Sequence, residues 1–247
     1  IITHGTDTLE ETAYLLDLTI DSKKPIVVTG AMRNSSELGY DGPSNLAASV
    51  CTVISSDAVG KGVLIVMNNV VNAASEAMKT NTLSLDTFKS LEFGALGVVD
   101  NDKVIFHRNV INRQHIPATD IETSVDIIKC GSGMDSKLLK YSVDSGAKGI
   151  IIEALGRGNI PPAMLPGVEY AIARNVAVVM VSRCPTGRVL DTYGYEGAGK
   201  QLRRMGVIFG GDLPGQKVRI KLMLTLSLTN NLGEIRDIIE KNQYNGI

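Results

Sequence analysis

Residues 3–16 read THGTDTLEETAYLL, which crowds hydroxyl and carboxylate side chains around Gly5 at a strand-to-helix turn. Thr8 and Glu11 have the spacing of a capping box, in which each side chain satisfies an orphan backbone N–H at a helix start. Leu9, Ala13, Leu16 and Ile20 then repeat at helical spacing and predict a buried face. Thr6 and Asp7 are left without a structural task. A second candidate stands in EAMKTNT, where Lys79 is followed by Thr80 and Thr82 in a stretch that reads as the loop after an apolar strand. A threonine hydroxyl becomes a nucleophile when a base takes its proton, and a lysine desolvated in a cleft can be that base. Thr6, Asp7 and Lys79 together would suffice for acyl transfer, with Asp7 orienting the lysine or gripping a substrate ammonium. The alternative is an ordinary surface lysine.

The elements that must position these residues follow a regular alternation. PIVVT (25–29), GVLIVM (62–67), IIK (127–129), GIIIEAL (149–155) and VAVVMVS (176–182) predict short buried strands. VVDNDKVIF (98–106) predicts a hairpin turning at Asn101-Asp102. A helix is expected from Pro43, behind Asp41-Gly42, with Leu46, Val50 and Val53 on its inner face. Others are expected from Asp135 to about Gly146, after PPAMLPG, and near 197–205, 216–228 and 233–241. Apolar strands separated by amphipathic helices imply parallel sheets covered on both faces. The fold class expected is α/β, two domains with mainly parallel sheets flanked by helices. The first covers 1–108 and the second 127–247, with a linker over 109–126 where periodicity fades. The chain opens at Ile1 inside an apolar run, which predicts a first domain incomplete at its start. Ligands of such folds bind in loops at the carboxyl ends of strands. Thr6-Asp7 and the segments 30–44, 68–81, 155–162 and 183–196 all fall on that edge.

Composition narrows the function classes. The chain has 247 residues, 44% hydrophobic and 21% charged, with a formal net charge of −1 and acidic and basic residues interspersed. Nothing resembles the basic stripe of a nucleic-acid binder, and no apolar run reaches the length of a membrane span. Aromatic content of 4% and the lack of Trp argue against stacking platforms for bases or sugars. Cys51, Cys130 and Cys184 read as buried free thiols rather than a disulfide. His4, His107 and His115 have no metal-ligand spacing. GYEGAGK (194–200) fits the opening of a P-loop, but Gln201 stands where a Ser or Thr would hold magnesium. GRGN (156–159) lacks the third glycine of a dinucleotide fingerprint. Neither a metal nor an organic cofactor is expected.

HGTDT, KPIVVTGAMR with YDGPSNL behind it, MKTNT, EALGRGN and GQKVRIKLM occur in this order. Together they resemble the bacterial-type L-asparaginases, most closely the type II branch with its glutaminase-asparaginase members. That resemblance implies hydrolysis of the side-chain amide of L-asparagine to aspartate and ammonia by a threonine nucleophile, without a cofactor. It implies a homotetramer of intimate dimers, with each site lying between the first domain of one subunit and the second domain of its neighbour. Thr6, Asp7 and Lys79 match catalytic positions. Gly5, Thr6, Asp7 and the carbonyl of Ala31 would touch substrate, joined by Asn159 and Glu196 from the neighbour. The family's first motif, a Thr-Gly-Gly-Thr turn carrying the primary nucleophile, has no counterpart among these residues, nor has its lid tyrosine. A molecule of these residues alone is therefore expected to be inactive. The type II likeness points to the periplasm or secretion, with the cytoplasm as the alternative. The rival functions are a glutaminase-asparaginase of broader specificity and a non-catalytic amino-acid-binding or oligomeric scaffold. An asparaginase-like subunit of a tRNA-dependent amidotransferase is disfavoured, because no extra domain or RNA-binding charge pattern is visible.

Overall fold

The structure, a computed structural model, describes residues 1–111 and 113–241. The chain divides into two compact units, Ile1–His115 and Ile116–Ile247. Among the described residues no helix is long and apolar enough to cross a membrane.

The first unit runs β1 (Ile2–Thr3), α1 (Leu9–Thr19), β2 (Ile26–Thr29), α2 (Gly42–Ile54), β3 (Val63–Met67), β4 (Val70–Ala73), β5 (Met78–Lys79), β6 (Phe88–Lys89), β7 (Gly97–Asp100) and β8 (Lys103–Phe106). Its sheet has the order β1-β2-β3-β4-β7-β8. The pairs among β1, β2 and β3 are parallel and those from β3 through β8 antiparallel, so this sheet is mixed rather than mainly parallel. The reversal sits at Asn68-Asn69, both with positive φ (51° and 59°), between the paired residues Met67 and Val70. Two consecutive left-handed residues make the turn whose twist matches a hairpin, and asparagine tolerates that conformation. Residues 68–81 are accordingly not one loop. They contain β4, and they contain β5, which pairs with β6 in a small ladder of its own. The 98–106 hairpin forms as its sequence predicts, with Asp100 opposite Lys103 and Asn101 at φ 55°.

Two local expectations fail. Thr8 takes the N-cap position of α1 but its side chain makes no capping hydrogen bond. Its ψ of 15° is far from the extended value that would carry the hydroxyl to the second or third N–H. In α2, Leu46 and Val50 face outward (45% and 43% exposed), and the buried residues are Asn45, Ala48, Ser49 and Thr52. Ser49 and Thr52 donate their hydroxyls to the carbonyls of Asn45 and Ala48 four residues back, 2.7 and 2.8 Å away. Small side chains with satisfied polar atoms behave as apolar ones and let the helix lie close on the sheet. Val53 does pack partly against the core, beside Val27, Leu64 and Val66.

The second unit runs β9 (Val125–Lys129), α3 (Lys137–Asp144), β10 (Gly149–Ala154), α4 (Leu165–Ile172), β11 (Ala177–Ser182), α5 (Gly199–Met205), β12 (Ile208–Phe209), α6 (Gly215–Leu228) and α7 (Leu232–Glu240). Its sheet, β12-β11-β10-β9, is wholly parallel. Alternate residues of each strand serve opposite cores. Ile150, Ile152, Val178 and Met180 meet α3 and α4 on one face, while Ile151, Val179 and Val181 meet α6 and α7 on the other. The three cysteines are free, but only Cys130 is buried and Cys184 is exposed, on the loop after β11 rather than inside the strand.

Helix α6 is buried on nearly every side, including Lys217, Lys221 and Thr225. Lys221 Nζ donates to the Ile239 carbonyl in the last turn of α7 at 2.8 Å, where a cation is favoured by the helix dipole. Burial still pushes its pKa from 10.5 down to about 7, with Asp212 opposing the shift and Lys241 adding to it. The unfolded chain therefore holds this proton through a pH range in which the folded chain has released it, and stability rises with pH across that window. Lys221→Met is expected to add about 2 kcal/mol to the unfolding free energy at pH 6, a buried charge being costlier than an apolar side chain of similar length. The gain should shrink as pH climbs from 7 towards 10. Urea titrations at pH 6 and 9 measure it, and a gain independent of pH would assign the effect to packing alone.

Candidate active site

Strand β1 lies parallel to β2, with Thr3 opposite Thr29, and the main-chain N–H of His4 continues the ladder to the Thr29 carbonyl at 2.8 Å. The two chains separate just beyond, which puts Gly5–Asp7 and Gly30–Arg33 side by side at the carboxyl edge. A Cβ on Gly30 would lie 2.4 Å from the His4 carbonyl oxygen, so only glycine allows this approach. Gly5 itself is exposed and faces open space. His4 braces the turn, its ring nitrogens 2.7 Å from the Gly5 carbonyl and 3.0 Å from the Thr12 hydroxyl.

The hairpin at Asn68-Asn69 and the short strand β5 bring Lys79 to the same place. Lys79 Nζ donates to Thr6 Oγ1 at 2.9 Å and to Asp7 Oδ1 at 3.1 Å. The ammonium side chain is 20% exposed and the Asp7 carboxylate 97%, leaving Asp7 open to a ligand while it still touches the lysine. Glu10, buried in the first turn of α1, accepts the main-chain N–H of Lys79 and ties β5 to the helix that follows Thr6 and Asp7. The three residues singled out in the sequence thus form one cluster. Glu10 was absent from that reading, since an acidic residue in a first helical turn is ordinarily a dipole partner.

Ala31 is half-buried in the loop after β2, held on both sides. The Gly30 carbonyl accepts from Asn45 Nδ2 at 3.0 Å, and the N–H groups of Met32 and Arg33 donate to the two oxygens of Asp41 at 3.0 and 2.9 Å.

Asn159 and Glu196 lie in the second unit, at the carboxyl edge of its sheet. Leu155 and Asn159 close a tight turn after β10 through reciprocal main-chain bonds of 2.9 and 3.0 Å. The Ile160 N–H donates to the Gly197 carbonyl at 2.9 Å. Gly197 has φ 81°, and a Cβ there would lie 2.3 Å from the Ile160 oxygen, so this glycine lets the Glu196 loop rest on the Asn159 turn. Both residues line a pocket of about 520 Å³ together with Ser132, Gly133, Arg183 and Tyr195. Arg183 is aimed by a 3.1 Å bond from its guanidinium to the Cys130 carbonyl. Sequence reasoning passed over Arg183, whose position after β11 was its one signal. Among the described residues no group of His, Cys, Asp and Glu could hold a metal ion.

The first unit offers a hydroxyl in contact with an amine, beside a carboxylate open to a cationic ligand. This is a proton-transfer arrangement suited to acyl transfer. Comparison with known proteins agrees in kind. Residues 1–112 match the family model described as Asparaginase, N-terminal, and residues 124–239 the one described as Glutaminase/Asparaginase C-terminal domain. The L-asparaginase of Bacillus licheniformis is 38% identical over 227 residues, 92% of this chain and 70% of that protein. L-asparaginase 2 of Escherichia coli K12 is 37% identical over 251 residues, 99% of this chain and 70% of that protein. L-asparaginase 2 of Bacillus subtilis is 40% identical over 243 residues, 96% of this chain and 62% of that protein. Motifs, cluster geometry and likeness along nearly the whole chain converge, and the chain belongs to the asparaginase family.

Proposed function

We propose that this protein hydrolyses the side-chain amide of L-asparagine to L-aspartate and ammonia, and that Thr6, Asp7 and Lys79 handle the protons of the reaction. The observation that carries the reading is the Lys79 ammonium group within hydrogen-bond reach of both Thr6 and Asp7. As its neutral amine, Lys79 draws a proton through the Thr6 hydroxyl from the attacking hydroxyl, which the family resemblance assigns to the threonine of the first motif, while that attacking oxygen bonds to the amide carbon. It returns that proton to the departing nitrogen, which leaves as ammonia, and water then releases aspartate from the threonine ester. Asp7 holds the substrate α-ammonium, and the Ala31 carbonyl accepts from the amide N–H. Ammonia release from asparagine and from glutamine at equal concentration, measured on the full-length enzyme with its first threonine motif, tests the activity and its breadth. Turnover of neither would overturn the reading.

Asn159 and Glu196 are assigned to a neighbouring subunit's site in a homotetramer, a reading that rests on the family resemblance. Mixing inactive Thr6→Val subunits with inactive Glu196→Ala subunits should then restore part of the activity, because in a mixed dimer both defects can fall in one site and leave the other intact. No rescue, with mixed oligomers confirmed by mass, would argue that each site is built from one chain.

A further inference from the structure

Asp41 occupies the N-cap position of α2 yet makes no side-chain cap to that helix. Its carboxylate turns back instead, Oδ2 accepting the Met32 N–H at 3.0 Å and Oδ1 the Arg33 N–H at 2.9 Å. Asn45, one turn into the helix, donates from Nδ2 both to Asp41 Oδ2 at 2.8 Å and to the Gly30 carbonyl at 3.0 Å, and its Oδ1 accepts the Asn68 N–H at 2.8 Å. Both residues are buried. Their bonds fall on the two peptide units that flank Ala31, one through the Gly30 carbonyl and the other through the Met32 N–H. A trans peptide is planar, with its C=O and N–H pointing opposite ways. Fixing the Met32 N–H on Asp41 therefore aims the Ala31 carbonyl directly away from Asp41.

We infer that Asp41 and Asn45 are positioning residues that set the direction of the Ala31 carbonyl, and with it the enzyme's preference for a substrate bearing a carboxamide N–H. The inference rests on the proposed contact between that carbonyl and the amide. A carboxylate on the N–H side of a peptide also strengthens its oxygen as an acceptor, since linked hydrogen bonds polarise one another. Burial alone would raise the Asp41 pKa, but the Arg33 and Met32 N–H groups outweigh it and hold the carboxyl below its ordinary value, so it stays charged at working pH. The helix N-terminus favours the same charge. A purely structural N-cap would direct its oxygens at the main-chain N–H groups of the first turn of α2, whereas these accept from the Met32 and Arg33 N–H groups and the Asn45 side chain.

The test compares asparagine with the β-methyl ester of aspartate, which presents the same α-groups and reacting carbonyl but no amide N–H. Asp41→Asn should lower kcat/KM for asparagine about tenfold and leave the ester within about twofold. Asn45→Ser loosens the Gly30 side of the clamp and should show the same selectivity, keeping the question open to measurement should Asp41→Asn fail to fold. An equal loss on both substrates in a folded variant overturns the positioning role. Failure of the natural protein to hydrolyse asparagine would instead overturn the proposed function, a separate outcome visible before any variant is made.

Discussion

Lys79→Met in the full-length enzyme is expected to lower kcat for asparagine by at least ~100-fold, the low end for losing a group that moves protons in the transition state. Among the described residues Lys79 is the amine placed against the Thr6 hydroxyl, at 2.9 Å, and it reaches Asp7 at 3.1 Å from the same nitrogen. Methionine keeps the length and apolar volume of the stem. The main-chain N–H remains bonded to Glu10, so β5 should stay where it is. The change deletes a donor and acceptor without opening a cavity, and thermal melting should be close to that of the natural protein. Ammonia release under saturating substrate, read beside a melting curve, separates chemistry from folding. Near-normal turnover by a folded variant would remove Lys79 from the mechanism.

Asp7→Asn should raise KM for asparagine and lower kcat together. A carboxylate that grips the substrate ammonium acts in binding, and one that orients a lysine acts in chemistry. Asp7 is placed for both, one oxygen on Lys79 and the side chain otherwise open. Losing a charge-assisted hydrogen bond costs about 1.5–3 kcal/mol, so the KM effect alone should be roughly 10–150-fold. Succinamate, which is asparagine without its α-amino group, provides the control. If the variant loses as much on succinamate as on asparagine, Asp7 does not hold the ammonium and its role is confined to Lys79.

The cluster was legible because its residues were left over after local structure had been accounted for. Thr6 and Asp7 stood one strand-end before an amphipathic helix, and Lys79 stood in a polar stretch behind an apolar strand. The alternation of elements was equally plain, as was the Asn101 hairpin. What escaped notice had weak local signals. Asn68-Asn69 lacks the glycine that marks the commonest hairpin turns, so β4 disappeared into a presumed loop. In α2 the apolar residues suggested one inner face, whereas Ser49 and Thr52 hide their hydroxyls on the helix's own carbonyls. Asp41 looked like a helix start, and it is one by position. Its bonds to Met32 and Arg33 bridge eight to nine residues of loop, a reach that no local periodicity reports.

The buried lysines of α6 carry a consequence for the chain before it folds. From Leu222 to Gly233 the sequence has no charged residue, and LMLTLSL within it is apolar enough to self-associate while exposed. Lys217, Arg219 and Lys221 stand directly ahead of that run, in the place where gatekeeper charges keep such segments apart during folding. Lys221 therefore stands between two opposed demands, solubility of the nascent chain, which favours the charge, and dryness of the finished core, which does not. The same Lys221→Met variant that gains stability should refold with lower yield as protein concentration rises, with light scattering recording the loss. The cost of carrying a positive charge into the core is then the trace of a requirement met earlier, on the way to the native state.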